Sequence, residues 1–153
     1  MMANRDQRTF KKMDTVELMK MIKILQGCYN RADFVLITDF LAEDVIYESQ
    51  WVFNHMTGKS TLLHYFEGKM ATMKRFNTPI EAKIIILKAP GRFMRALKGP
   101  VTLLYPDGEP CLIITQIDTE KREAILRIKL DVEGQIARMD LCMPQLFEWE
   151  ELN

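Results

Sequence analysis

Tyr47, Ser49 and Trp51 stand two apart in the run Asp44-Val45-Ile46-Tyr47-Glu48-Ser49-Gln50-Trp51-Val52-Phe53. The run is rich in β-branched and aromatic residues and reads as a strand. Two-residue spacing places all three side chains on one face. Hydroxyls and an indole N–H set in aromatic surface are how a small-molecule pocket orients its ligand. The same side chains can equally fill a core, their polar tips bonded to backbone. The residues themselves leave both readings open. Glu48 has the opposite parity and is expected to face outward.

Other groups with chemical capacity are few. The two histidines, His55 and His64, form neither H-x-x-x-H nor HExxH, and no cysteine lies at ligand spacing. No metal site is therefore expected. His55 falls in an expected turn, Asn54 to Gly58, and reads as solvated. His64, beside Tyr65 on a helix, could reach a pocket mouth, although it lacks a clear partner acid. Gly58-Lys59-Ser60 suggests the end of a phosphate-binding loop, but that motif requires glycine where Phe53 stands. No nucleotide or other cofactor is expected. Cys28, Cys111 and Cys142 are far apart in apolar surroundings and read as buried, reduced thiols of a cytoplasmic protein.

The chain has 153 residues, 48% apolar and 27% charged, a mixture suited to one globular domain. Lys+Arg and Asp+Glu both total 21, so no excess basic charge favours nucleic acid. No stretch approaches the ~20 apolar residues of a membrane span. Eleven methionines suit an adaptable core or pocket wall. The expected division is a polar arm over 1–13, one domain over 14–143 and an acidic, aromatic tail over 144–153. The tail could cap a neighbouring subunit or cover a pocket mouth.

Asp14-Thr15-Val16-Glu17 resembles a helix start, after which Leu18, Met21, Ile22, Leu25 and Tyr29 recur at helical spacing. Asp33 can cap a second, short helix carrying Phe34, Ile37, Phe40 and Leu41. A third helix is expected from about Ser60, with Leu63, Phe66, Met70 and Met73 on one face. Strands are expected over 81–88, 93–97, 101–105, 111–118, 124–131 and 135–143. Their separators are turn formers, and short connections imply an antiparallel sheet. Helices early and strands late make the chain α+β.

Alternation sorts the last two strands. Ala124, Leu126, Ile128 and Leu130 oppose Ile125, Arg127, Lys129 and Asp131; Ala137, Met139, Leu141 and Met143 oppose Ile136, Arg138, Asp140 and Cys142. The first set on each strand is expected to meet the helices. The mixed outer face is read as solvated or as a homodimer interface.

The element order, and the phrase Phe40-Leu41-Ala42-Glu43-Asp44-Val45 leading to Tyr47-Glu48-Ser49 and, beyond ten residues, Gly58, resemble the nuclear-transport-factor-2-like superfamily and its SnoaL-like domains. Tyr105 through Gly108-Glu109-Pro110-Cys111, and Asp131 through Gly134-Gln135-Ile136, resemble the corresponding hairpins. The resemblance implies a cone-shaped, curved antiparallel sheet wrapped around three helices, the cystatin-like form, with an apolar pocket between them. It implies Tyr29, Tyr47, Ser49, Trp51, Tyr65, Phe66, Met70, Leu126, Met139, Leu141 and Met143 as candidate lining.

The same resemblance argues against ketosteroid isomerase activity. Ser49, Leu25 and Leu126 stand at that enzyme's general-base and two oxyanion positions, and none can replace the lost group. Because polyketide cyclases and epoxide hydrolases of the superfamily use carboxylates on late strands, Asp140 is a catalytic candidate, with His64 and Tyr47 behind it. Alternation turns Asp140 outward with Arg138; a one-residue bulge would turn it inward. Three functions stay open: a pocket domain for a small apolar molecule, an enzyme of the cyclase, isomerase or hydratase type, and a protein-interaction module with a filled cavity.

Overall fold

In the computed structural model, which describes residues 15–49, 54–89, 95–96, 99–100, 108–117, 120–144 and 148–152, helix α1 runs Thr15–Arg31. It buries Leu18, Met21, Ile22, Leu25, Cys28 and Tyr29 on one side, as their spacing requires. The helix closes where Ala32 turns left-handed at φ 53° and the Asp33 N–H reaches back to the Cys28 carbonyl. Asp33 Oδ1 then accepts the Val35 N–H at 3.0 Å. The expected short helix follows as one 3-10 segment, Val35–Phe40. Leu41 belongs to the next strand, not to this helix.

Strand β1 is Leu41–Ser49 and β2 is Asn54–Thr57. The two pair antiparallel, with Glu48 opposite His55. The stretch from Asn54, expected as a turn, is therefore mostly strand. The sharp bend falls on Gly58 alone, at φ 104°, whose N–H bonds the Val45 carbonyl at 2.8 Å. Helix α2, Lys59–Arg75, follows and buries Leu62, Phe66, Met70 and Met73.

The remaining strands are β3 (Ile80–Ala89), β4 (Arg95–Ala96), β5 (Gly99–Pro100), β6 (Pro110–Ile117), β7 (Lys121–Leu130), β8 (Ile136–Cys142) and β9 (Glu148–Glu151). Seven form one sheet in the order β2-β1-β8-β7-β6-β3-β9, and β4 pairs with β5. Every neighbouring pair is antiparallel except β1 with β8, which run parallel. The expected arm, the expected strand over 101–105 and most of that over 93–97 lie outside the described residues. The tail does not stand apart: β9 pairs along β3 and extends the sheet.

The hairpin from β7 to β8 turns on Asp131, whose Oδ1 accepts the N–H groups of Glu133 (2.9 Å) and Gln135 (3.0 Å). Gly134 takes φ 81°, the left-handed state that this short loop requires. Just past it the register slips. Leu130 pairs with Ile136 but Lys129 pairs with Arg138, so Ala137 is a bulge.

The bulge corrects one end of the expected alternation. Ile136, expected on the outer set, joins the core beneath the helices, and Ala137 does not. From Arg138 onward the expected parity is kept, so Asp140 stays on the outer side. The bulge lies on the wrong side of Arg138 to turn it inward.

Both helices pack on the inner face of the sheet, α1 against β3 and β6, α2 against β1. Side chains from α1 latch the free edge of β3. Asn30 Oδ1 accepts the Ala82 N–H at 2.7 Å, while Asn30 and Gln26 amides donate to the Ala82 carbonyl at 3.2 and 3.1 Å. Partners from β9 begin only near Ile84 and Ile85. The latch therefore satisfies backbone groups that the sheet leaves open there.

Candidate functional site

The inner sheet face and the helices do not close completely. A cavity of about 360 Å³ remains among the ends of α1, β1, β6 and β8 and the beginnings of β3 and β7, beside α2. That volume lies in the range of small-ligand sites. Its deep wall is aromatic: Tyr29 from α1, Tyr47 from β1, and Tyr65 and Phe66 from α2. Phe66 is the hub. Its ring stacks on Phe34 at 4.2 Å and meets Tyr29, Tyr47 and Tyr65 at 6.3, 5.9 and 5.7 Å. Ile80, Ile114, Ala124 and Leu141 add aliphatic wall, and Ser49 adds a hydroxyl.

The phenols act as neutral donors. Burial above all, then the neighbouring Tyr29 and Tyr65 and a hydrogen bond with Tyr65, hold Tyr47 well above its ordinary value. Burial likewise raises Tyr29. Neither yields a phenolate near neutrality, so neither serves as a general base.

Of the candidates, Tyr29, Tyr47, Ser49, Tyr65, Phe66 and Leu141 line this cavity. Leu126 and Met139 lie on the same face but are packed in the core, fully buried. Met70 lines a separate groove between α2 and the 3-10 helix, which Phe66 also borders. Met143 follows the end of β8 and does not line the cavity. Trp51 lies outside the described residues. Leu25, like Leu126, is core.

The catalytic candidates fare differently. His64 is exposed on α2 and does not border the cavity. Asp140 lies behind the sheet, bonded through Oδ2 and Oδ1 to Arg138 Nε and Nη2 at 2.9 and 3.0 Å. Arg138 Nη2 also reaches Glu48 Oε2 at 3.0 Å. The parallel pairing of β1 with β8 sets Glu48 beside Asp140, and β7 sets Arg127 on its other flank.

Here the expectation of a solvated outer face is overturned. Glu48, Arg127, Arg138 and Asp140 are all buried within the single chain, at 3%, 3%, 5% and 2% exposure. They carry two positive and two negative charges, so burial is balanced. Ile125 and Cys142 of the same face are also fully buried.

The three thiols are free and buried. Burial pushes Cys111 up to about 12 and raises Cys28 and Cys142 in the same direction. An unfolded chain ionises these thiols near 9.0 while the folded one keeps its protons. Stability should therefore hold up to about pH 9 and fall as pH rises toward 12. Buried tyrosines act in the same sense above 10.0. Lys129, lowered chiefly by burial, acts oppositely below 10.5. Urea unfolding at about pH 8 and about pH 11 should show the fall, smaller in Cys111→Ala. A thiol reagent should react with these cysteines only upon unfolding; rapid reaction of the native protein would contradict their burial.

Several lining residues had no motif to announce them. Lys69, Gln116, Arg122 and Glu123 stand at the cavity mouth. Their signal was positional: Arg122 is two residues before Ala124 on β7, and Lys69 is one helical turn after Tyr65. Among the described residues no group of three or more His, Cys, Asp or Glu side chains could hold a metal ion, and no helix is long and apolar enough to cross a membrane.

No family model and no curated protein matches the chain. Solved structures do match its fold. A structure described as a putative ketosteroid isomerase from Kribbella flavida aligns at TM-score 0.55 and 16% identity, covering 94% of this chain and 84% of that one. A putative polyketide cyclase from Xanthomonas campestris aligns at 0.54 and 13%, covering 86% and 93%. A nuclear-transport-factor-2-like protein of unknown function from Mesorhizobium loti aligns at 0.56 and 9%, covering 88% and 97%. The chain has this nuclear-transport-factor-2-like, cystatin-like fold. At such identities the likeness is one of architecture, and one architecture hosts many activities.

Proposed function

We propose that this domain takes a small, largely apolar molecule into the cavity beside Phe66 and holds it without acid–base chemistry of its own, in the reducing cytoplasm. One observation carries the reading: away from Lys69, Gln116, Arg122 and Glu123, the cavity is lined by aromatic and aliphatic surface with hydroxyls, while the buried carboxylates of Glu48 and Asp140 are bound behind the sheet. Apolar walls with a few fixed donors suit binding and orientation. An enzyme working through Asp140 or His64 loses support, since neither borders the cavity. An interaction module with a filled cavity is disfavoured by the open volume. The three free, buried thiols favour a reducing compartment. Neighbours described as a putative ketosteroid isomerase and a putative polyketide cyclase share this fold, in keeping with the reading.

Native mass spectrometry of gently purified protein tests it. The expected result is an added mass that is released on denaturation. Ala124→Phe, which pushes an aromatic ring into the cavity, should lose that mass while remaining folded by circular dichroism. Protein that carries nothing and also takes up no steroid- or polyketide-like compound would count against the proposal.

A further inference from the structure

The three phenols of the deep wall are not equally satisfied. Tyr47 is hydrogen-bonded to Tyr65, their rings 5.8 Å apart. The bond opposes ionisation of Tyr47, so Tyr47 is the donor and the O–H of Tyr65 is left over. Tyr29, in the last turn of α1, is 4% exposed, yet its hydroxyl makes no hydrogen bond among the described residues. Its ring cannot swing away to find one, because Phe34 and Phe66 meet it edge-on at 4.8 and 6.3 Å. Both Tyr29 and Tyr65 line the cavity, and they lie near enough for Tyr65 to oppose the ionisation of Tyr29. A buried hydroxyl without a partner is costly, and folded proteins rarely keep one. Leu25 and Leu126, which stand at the isomerase's donor positions, are core here, so this pair of O–H groups is a different arrangement.

We infer that the buried end of the ligand is a neutral acceptor oxygen, that of a ketone, ester or ether, held by the hydroxyls of Tyr29 and Tyr65. This rests on the pocket reading above and adds the chemical class of the ligand. A carbonyl oxygen has two lone pairs and no hydrogen, so it can take both O–H groups at once. A hydrocarbon end would leave both donors buried without an acceptor. A carboxylate end would have to shed its hydration against the rings of Tyr29, Tyr47, Tyr65 and Phe66, a step that costs a neutral oxygen far less. The apolar body then extends along Ile80, Ile114 and Leu141.

A matched pair of probes separates the two levels of the argument. 2-Acetylnaphthalene and 2-isopropenylnaphthalene have the same shape, and only the C=O of the first is a C=CH2 in the second. Tyr29→Phe keeps the ring and removes the hydroxyl. It should weaken binding of the ketone about five-fold and leave the alkene unchanged; Tyr65→Phe should act in the same way. The infrared carbonyl stretch of the bound ketone should lie below its value in hexane and move back toward it in both variants. Without a probe, Tyr29→Phe should unfold at the urea concentration of the parent or a higher one, since it removes an unpaired group. A marked loss of stability there would show that the hydroxyl already has a partner, and would overturn the inference. Equal weakening of ketone and alkene, or a ketone whose affinity and stretch neither substitution changes, would overturn it too and leave the pocket reading standing. Failure of both probes to bind would overturn the inference together with the pocket.

Discussion

Arg138→Met should cost about 3–5 kcal/mol of folding stability, the largest loss expected of any single change outside the apolar core. Arg138 holds Asp140 through two hydrogen bonds and Glu48 through one, and all three side chains are almost wholly buried. Without the guanidinium, the two buried carboxylates lose the cation that bonds them both, and Arg127, opposite Asp140 on β7, does not replace those bonds. The folded state must then hold excess negative charge or take up a proton that the unfolded chain does not need. Urea unfolding measures the loss. A decrease below about 1 kcal/mol would show that the array is wetter than its burial implies. A triple change, Glu48→Leu with Arg138→Met and Asp140→Leu, should recover much of the stability, because removing all the charges leaves none unpaired. If the array has a catalytic role instead of a structural one, the triple variant should fold and lose activity.

Phe66→Ala should cost a comparable amount, about 3–5 kcal/mol, for an unrelated reason. The ring is 1% exposed and touches three tyrosines and Phe34, so truncation removes edge and stacking contacts in every direction. It also borders both the cavity and the groove between α2 and the 3-10 helix. Its loss should join the two spaces. Unfolding experiments read the first effect, and an apolar fluorescent dye reads the second, binding more strongly to the folded variant than to the parent. Collapse of the helices into the gap would give a smaller loss and no added dye binding. Phe66→Leu should lie between, since it keeps part of the apolar volume.

These two residues differ in how visible they were. Phe66 belongs to a helical stripe, and its burial follows from spacing alone. Arg138 and Asp140 also had the right parity from spacing, but their burial did not follow. Alternation specifies a side of the sheet; it does not say whether that side meets water. The pairing of Glu48 with Arg138 depends on β1 lying parallel beside β8, though some ninety residues separate them. No local pattern encodes such a long-range neighbour.

From the sequence by itself came the α+β class, the two long helices, the hairpin turn at Gly134 and the inward face of Tyr47 and Ser49. These follow from local periodicity and turn chemistry, which act over a few residues. Only the tertiary structure decided the bulge at Ala137, the strand made by the tail, the buried ionic array and the cations at the cavity mouth. Each depends on which distant backbone lies alongside, and on what remains open when the packing is complete. The face a side chain takes is a local property of the chain, whereas its burial and its charge partners are set by the assembled fold.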